Sequence, residues 1–156
     1  MDVEIERKFL VEGRAFEGQA RERIPMIQGY LSSVPERSVR VRIAGDRAFL
    51  TIKGTSNESG TSRFEWERAI DVADARQLLA IAEPGVIDKT RYLVPAGDHV
   101  FEVDVFHGDN AGLVMAEVEL EDENEPFERP EWLGEEVTGN PDYYNARLSK
   151  KPFTTW

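Results

Sequence analysis

The stretch Glu4-Ile5-Glu6-Arg7-Lys8-Phe9-Leu10-Val11 decides how the rest of the chain is read. On a β-strand, successive side chains point to opposite faces, so residues two apart share a face. Glu4, Glu6 and Lys8 then lie on one side, and Val3, Ile5 and Phe9 on the other. Two carboxylates and an ammonium stacked on one strand face make a poor apolar core. They make a sound beginning for a polar site that takes a metal ion and phosphate.

Later segments carry charged faces of the same kind. Arg40 and Arg42 oppose Val39, Val41 and Ile43, and Thr51 and Lys53 oppose Leu50 and Ile52. Arg63, Glu65 and Glu67 oppose Phe64 and Trp66, while Lys89 and Arg91 share a face. Glu102 and Asp104 oppose Phe101, Val103 and Val105, and Glu117 and Glu119 oppose Ala116, Val118 and Leu120. Alternation alone does not say which face points inward, because every half-exposed strand shows it. Two details favour charged faces with a task. Like charges repeat along single strands, where solvated faces more often mix signs. Many of the cations are arginine, whose planar fork matches phosphate oxygens.

About eight strands are expected, the first near residues 2–11 and the others near 24–32, 37–44, 47–54, 61–70, 86–95, 99–107 and 113–120. Ala44-Gly45-Asp46 and the segment from Gly54 to Gly60 supply turn chemistry. Asp71 to Ala82 reads as a helix, with Asp71 as N-cap and Glu83-Pro84-Gly85 as its stop. Residues 12–22 read as polar and irregular, and a short helix is expected near 141–149. Short connections between consecutive strands imply antiparallel neighbours.

Composition narrows the function classes. The 156 residues are 40% hydrophobic and 31% charged, which fits one globular domain over 1–156. The absence of cysteine excludes disulfide scaffolds, zinc–thiolate sites and cysteine nucleophiles. His99 and His107 are the only histidines, too few for a multi-histidine metal site. A net charge of −11 argues against nucleic acid and anionic membranes as partners. It does not exclude a small anion, because local cations outweigh the total. Without an apolar signal-like core or a span of about 20 apolar residues, a cytoplasmic protein is the expectation.

The ordered set of motifs closely resembles the CYTH family of triphosphate tunnel metalloenzymes. It comprises E-x-E-x-K at Glu4, Glu6 and Lys8, Gln28-Gly29-Tyr30-Leu31, R-x-R at Arg40 and Arg42, and Lys53. It continues with R-x-E-x-E at Arg63, Glu65 and Glu67, K-x-R at Lys89 and Arg91, and E-x-D at Glu102 and Asp104. Glu117-x-Glu119 and Gly134-Glu135-Glu136-Val137-Thr138 close it. The resemblance implies a mostly β, α+β fold: a closed eight-stranded antiparallel barrel, charged inside, with a few flanking helices. Outer apolar faces then need helices or a partner chain to cover them, so a homodimer is one arrangement it allows.

The chemistry implied is metal-dependent hydrolysis of inorganic triphosphate. Lys8, Arg40, Arg42, Lys53, Arg63, Lys89 and Arg91 would hold phosphate oxygens. Glu4, Glu6, Glu117 and Glu119 are all-oxygen ligands suited to Mg²⁺ or Mn²⁺. Glu65, Glu67 and Asp104 would bind a second metal, orient water or pair with the cations. Lys89, among other cations, and Tyr30 are the two candidate bases. Arg147, in the tail segment Tyr143 to Leu148, could reach phosphate from a tunnel mouth. Trp66, Phe101 and Trp132 read as packing residues. Nucleoside or thiamine triphosphate hydrolysis, adenylate cyclisation and non-catalytic polyphosphate binding remain as alternatives, since fold does not select among them.

Overall fold

The computed structural model describes residues 2–156. Its strands are β1 (Asp2–Val11), β2 (Glu22–Ser32), β3 (Ser38–Ala44), β4 (Arg47–Ser56), β5 (Ser62–Ile70), β6 (Ile87–Ala96), β7 (His99–Phe106), β8 (Val114–Glu119) and β9 (Leu133–Glu136). Three short helices accompany them: α1 (Phe16–Gln19), α2 (Val72–Ala80) and α3 (Asn145–Leu148). The first eight strands run β5-β4-β3-β2-β6-β7-β8-β1, and β1 pairs back onto β5 to close the ring. The ring is antiparallel throughout. Closure removes the free edges that an open sheet would expose.

The barrel is shut at β1, which has more partners than it has edges. Glu6 N–H donates to Thr61 O at 2.9 Å, and Lys8 O accepts from Val137 N–H at 2.8 Å. Ile5 O, facing the opposite way, accepts from Leu120 N–H at 2.8 Å. Thus β8 holds one edge, while β5 and β9 divide the other between them. β9 was not expected. Its four residues contain Gly134 and two adjacent glutamates, which leaves no alternating pattern to read.

Two apolar layers cover the outside of the ring. Phe9, Val94, Phe101, Val103 and Val118 form one, roofed by Phe16, Phe127 and Trp132. Phe16 explains α1 within a stretch that reads as irregular: it is fully buried, against Tyr92 and Trp132. Trp132 donates from its indole to Gln19 Oε1 at 3.0 Å, so the roof fastens to the helix. The second layer sets α2 against Val41, Ala48 and Leu50. Asp71 sits at the N-cap position of α2 but makes no side-chain cap bond, in contrast to its expected role. Trp66 belongs to neither layer; it is half-exposed beneath the Arg68 guanidinium, 4.7 Å from its ring centre. Gly29 lets the end of α2 approach β2, since a Cβ there would stand 3.1 Å from both Ala82 and Leu79.

A third apolar cluster lies inside the ring. Leu10, Ile87, Phe106 and Met115 share the inward face with Lys8, Lys89, Asp104 and Glu117, and they gather at one end of the barrel. Leu148 and Phe153 pack onto them from the C-terminal segment. There the expected helix near 141–149 is a 3₁₀ turn at Pro141–Tyr143 followed by the single turn of α3. Leu148 is fully buried and acts as a plug. Truncating it leaves a cavity that the barrel wall cannot collapse to fill. Leu148→Ala is expected to lower unfolding free energy by about 2–5 kcal/mol, read from urea denaturation followed by circular dichroism.

Candidate active site

The ring encloses a cavity of about 370 Å³. Glu4, Glu6 and Lys8 of β1, Tyr30 of β2, Arg40 and Arg42 of β3, and Lys53 of β4 line it. So do Arg63, Glu65 and Glu67 of β5, Arg91 of β6, and Glu117 and Glu119 of β8. Period-two alternation turns all of these to one face of their strands, and ring closure makes that face the inside. β1 and β8 are neighbours, with Glu6 opposite Glu119 and Lys8 opposite Glu117. β3 lies four strands from β8 either way round the eight-membered ring, so the glutamate wall faces Arg40 and Arg42 across the cavity.

The acidic wall carries more negative charge than its cations neutralise. Lys53 Nζ donates to Glu4 at 2.8 and 3.0 Å, and Lys8 Nζ stands 3.6 Å from Glu6 and 3.9 Å from Glu117. Burial lifts the Glu4 carboxyl above its ordinary range, with Lys53 opposing and Glu65 reinforcing the rise. Burial and then Glu6 do the same to Glu117; burial, Glu4 and Glu102 raise Glu119. Lys8 also pays the desolvation penalty, but Glu117, Glu6 and Glu4 hold it above its usual value. Hard, all-oxygen donors with surplus negative charge fit Mg²⁺ or Mn²⁺. Among the described residues, no three acidic or histidine side chains already converge as a cation cage.

The basic wall is built the opposite way. Arg40 donates to Thr51 Oγ1 at 3.2 Å, and Thr51 donates on to Glu67 at 2.7 Å. Arg42 donates from Nε to Gln28 Oε1 at 2.9 Å. Burial, Arg40 and Arg91 push the Arg42 guanidinium down to about 9, still charged at neutral pH. Like charges crowded this closely in a cavity favour an anion between them. The buried Arg40 Nε has no acceptor among the described residues, a donor left unanswered.

Lys89 and Asp104 do not line the cavity; they lie beneath it, next to the apolar plug. Lys89 is fully buried, donating to Asp104 Oδ2 at 2.8 Å and to Asn145 Oδ1 at 3.2 Å. Arg91 grips the same carboxylate through Nε at 2.8 Å and Nη2 at 2.9 Å. Asp104 therefore pairs with cations. Burial opposes its charge, but Arg91 and Lys89 hold it well below the usual carboxylate range. Burial, with Arg91 and Arg42, pushes the Lys89 ammonium down to about 7 against the pull of Asp104.

The tail segment Tyr143 to Leu148 was expected by resemblance at a tunnel mouth, but the contacts its Tyr144 and Asn145 make were not. Asn145 and Tyr144 come from the tail; the Tyr144 ring lies 4.6 Å from Lys8 Nζ and 5.9 Å from the Arg63 guanidinium. No spacing marks them, because they reach the site by packing rather than by strand period. Thr51 was visible on the Lys53 face, but its relay from Arg40 to Glu67 was not.

A closed antiparallel barrel that sets arginines against carboxylates across its interior is a tunnel for a polyanion and its counter-cation. The chain belongs to the CYTH family: the CYTH domain matches residues 2–151. It is 46% identical over 154 residues to an inorganic triphosphatase of Acetivibrio thermocellus, covering 98% of this chain and 97% of that one. Identity to an inorganic triphosphatase of Nitrosomonas europaea is 40% over 152 residues, or 94% and 97% of the two chains. A crystal structure of an inorganic triphosphatase superposes with a TM-score of 0.67 at 37% identity, covering 96% of this chain and 95% of the other.

Removing the shared counter-ion tests the floor of the site. Asp104→Asn leaves Lys89 and Arg91 buried together without their carboxylate, and is expected to cost about 3–5 kcal/mol of stability. Adding Lys89→Met should restore part of that loss in urea denaturation. A double variant no more stable than the single one would contradict the pairing.

Proposed function

We propose that this protein is an inorganic triphosphatase, splitting triphosphate into pyrophosphate and phosphate inside its tunnel. The observation that carries the reading is the charge-sorted cavity, Arg40, Arg42 and Arg91 facing Glu4, Glu6, Glu117 and Glu119, in a chain so closely related to inorganic triphosphatases. The cavity suits a compact linear substrate. Arg40, Arg42, Arg91, Lys8, Lys53 and Arg63 bind phosphate oxygens and stabilise the charge that builds on the transferred phosphoryl group and on the leaving pyrophosphate. The attacking water's oxygen bonds to the terminal phosphorus as the bridging P–O bond breaks, and its proton goes to a protein base.

A divalent cation such as Mg²⁺ or Mn²⁺, held by Glu4, Glu6, Glu117 and Glu119, would neutralise phosphate charge and polarise the phosphoryl group. Glu65 and Glu67 keep Lys53 and Arg40 in place, at 3.5 and 3.7 Å. Two groups compete for the role of base. Tyr30 lines the cavity, whereas Lys89 lies below it but is pushed down to about 7, where a neutral amine is accessible.

Phosphate release from tripolyphosphate, pyrophosphate, ATP and thiamine triphosphate, each with Mg²⁺ or Mn²⁺, tests the reading. Tripolyphosphate should be the preferred substrate, with activity lost in EDTA. Preference for ATP, or formation of cyclic AMP, would overturn it. Glu6→Gln and Glu119→Gln should each lower turnover at least roughly tenfold while keeping the fold, with weaker Mg²⁺ binding by calorimetry. Full Mg²⁺ affinity and unchanged turnover would remove both from the metal site.

The base is identified by pH. A base works deprotonated, so turnover should rise as pH climbs through its pKa. Lys89→Arg keeps the charge but cannot titrate near neutrality, and Tyr30→Phe keeps the ring without the phenol. Whichever variant flattens the alkaline rise while substrate affinity stays near wild type identifies the base. A profile unchanged in both excludes both side chains.

A further inference from the structure

The exposed charged residues of the cavity wall fall into two groups of opposite sign. Along β8 the inward face reads Met115, Glu117, Glu119, and along β7, backwards, Phe106, Asp104, Glu102. Met115 and Phe106 belong to the plugged end, so Glu119 and Glu102 stand at the far end. Glu119 is exposed there, and the Glu102 side chain is 39% exposed. At the plugged end the cavity wall includes Arg147 and Lys150, which flank the plug residue Leu148 and are 53% and 57% exposed. Ser33 and Pro35, from the turn between β2 and β3, line the same cavity. The cavity therefore meets solvent beside α3, on the side that Leu148 does not cover, where its lining charges are basic, and at the other end, where they are acidic.

A triphosphate approaches a protein of net charge −11, so its route is set by the local field rather than the total. Building on the triphosphatase reading, we infer that the substrate enters beside α3, guided by Arg147 and Lys150, and is turned away from the end rimmed by Glu102 and Glu119. Each guiding cation has a single weak partner: Asp142 lies 3.6 Å from Arg147, and Glu83 lies 3.2 Å from Lys150. Exposed pairs of this kind exchange readily for phosphate. Deeper cations take over from there, beginning with Arg63 and Lys8 around the Tyr144 ring.

The test is the ionic-strength dependence of kcat/KM for tripolyphosphate in the wild type, in Arg147→Gln/Lys150→Gln, and in Lys151→Gln. Lys151 is exposed and adjacent but does not line the cavity. At low salt the double variant should lose kcat/KM roughly tenfold with kcat unchanged, and the gap should close as salt screens the rim. Lys151→Gln should match the wild type. A double variant with the wild-type salt slope overturns the entry route, as does an equal loss in Lys151→Gln or a fall in kcat alone. Stopped-flow association of tripolyphosphate in EDTA, followed by tryptophan fluorescence, makes the same comparison without turnover. An inert wild type would then sink the triphosphatase reading alone, while an unchanged association rate in the double variant would sink the route.

Discussion

Everything in this molecule follows from the need to keep charges paired inside a closed barrel. An unpartnered charge in a cavity walled by protein carries a large desolvation penalty. The interior meets that penalty unevenly. At its floor, Asp104 answers Lys89 and Arg91 through three short contacts. Above it the pairing is incomplete by design of the walls: glutamates outnumber the lysines beside them on one side, and arginines crowd one another on the other. A cation and a polyanion entering together would complete both halves at once. Binding and charge neutralisation are then the same event.

The same constraint shapes the outside. Because the inward face of each strand is given to charge, the apolar residues that hold the fold together point outward. They require separate cover, and the short helices, the 120–133 segment and Trp132 supply it. An ordinary barrel buries its apolar face within, whereas this one keeps a small apolar cluster inside only at the end where Leu148 packs.

Much of this was legible in the sequence, for a definite reason. Strand alternation assigns side chains to faces, so Glu4, Glu6, Arg40, Arg42, Glu117 and Glu119 could be grouped before their strands were placed. Alternation does not give depth. Lys89 and Arg91 share a face, yet Arg91 borders the cavity and Lys89 lies beneath it, because a two-residue step along β6 moves about 6–7 Å along the strand, to the level filled by Asn145 and Phe106. Nor does it describe segments that reach the site by packing. Asn145 meets Lys89 across 56 positions of sequence, and no local pattern announces that contact. β9 was illegible for a related reason: its pairing is dictated by the edge that β5 leaves vacant on β1.

The crowding of partners around β1 has a consequence for biosynthesis. β1 cannot complete its pairing until residues 114–119 and 133–136 have followed it out of the ribosome, since β8 holds one of its edges and β9 part of the other. The intervening strands can form hairpins with their sequence neighbours meanwhile, but the ring stays open until β8 emerges. During that interval β1 presents an unpaired edge, and Glu4, Glu6 and Lys8 remain hydrated rather than enclosed. Such long-range closure is slow and leaves the nascent chain dependent on its charge to avoid sticking to its neighbours. The acidity that opposes an anionic substrate in the finished protein thus serves the unfinished one.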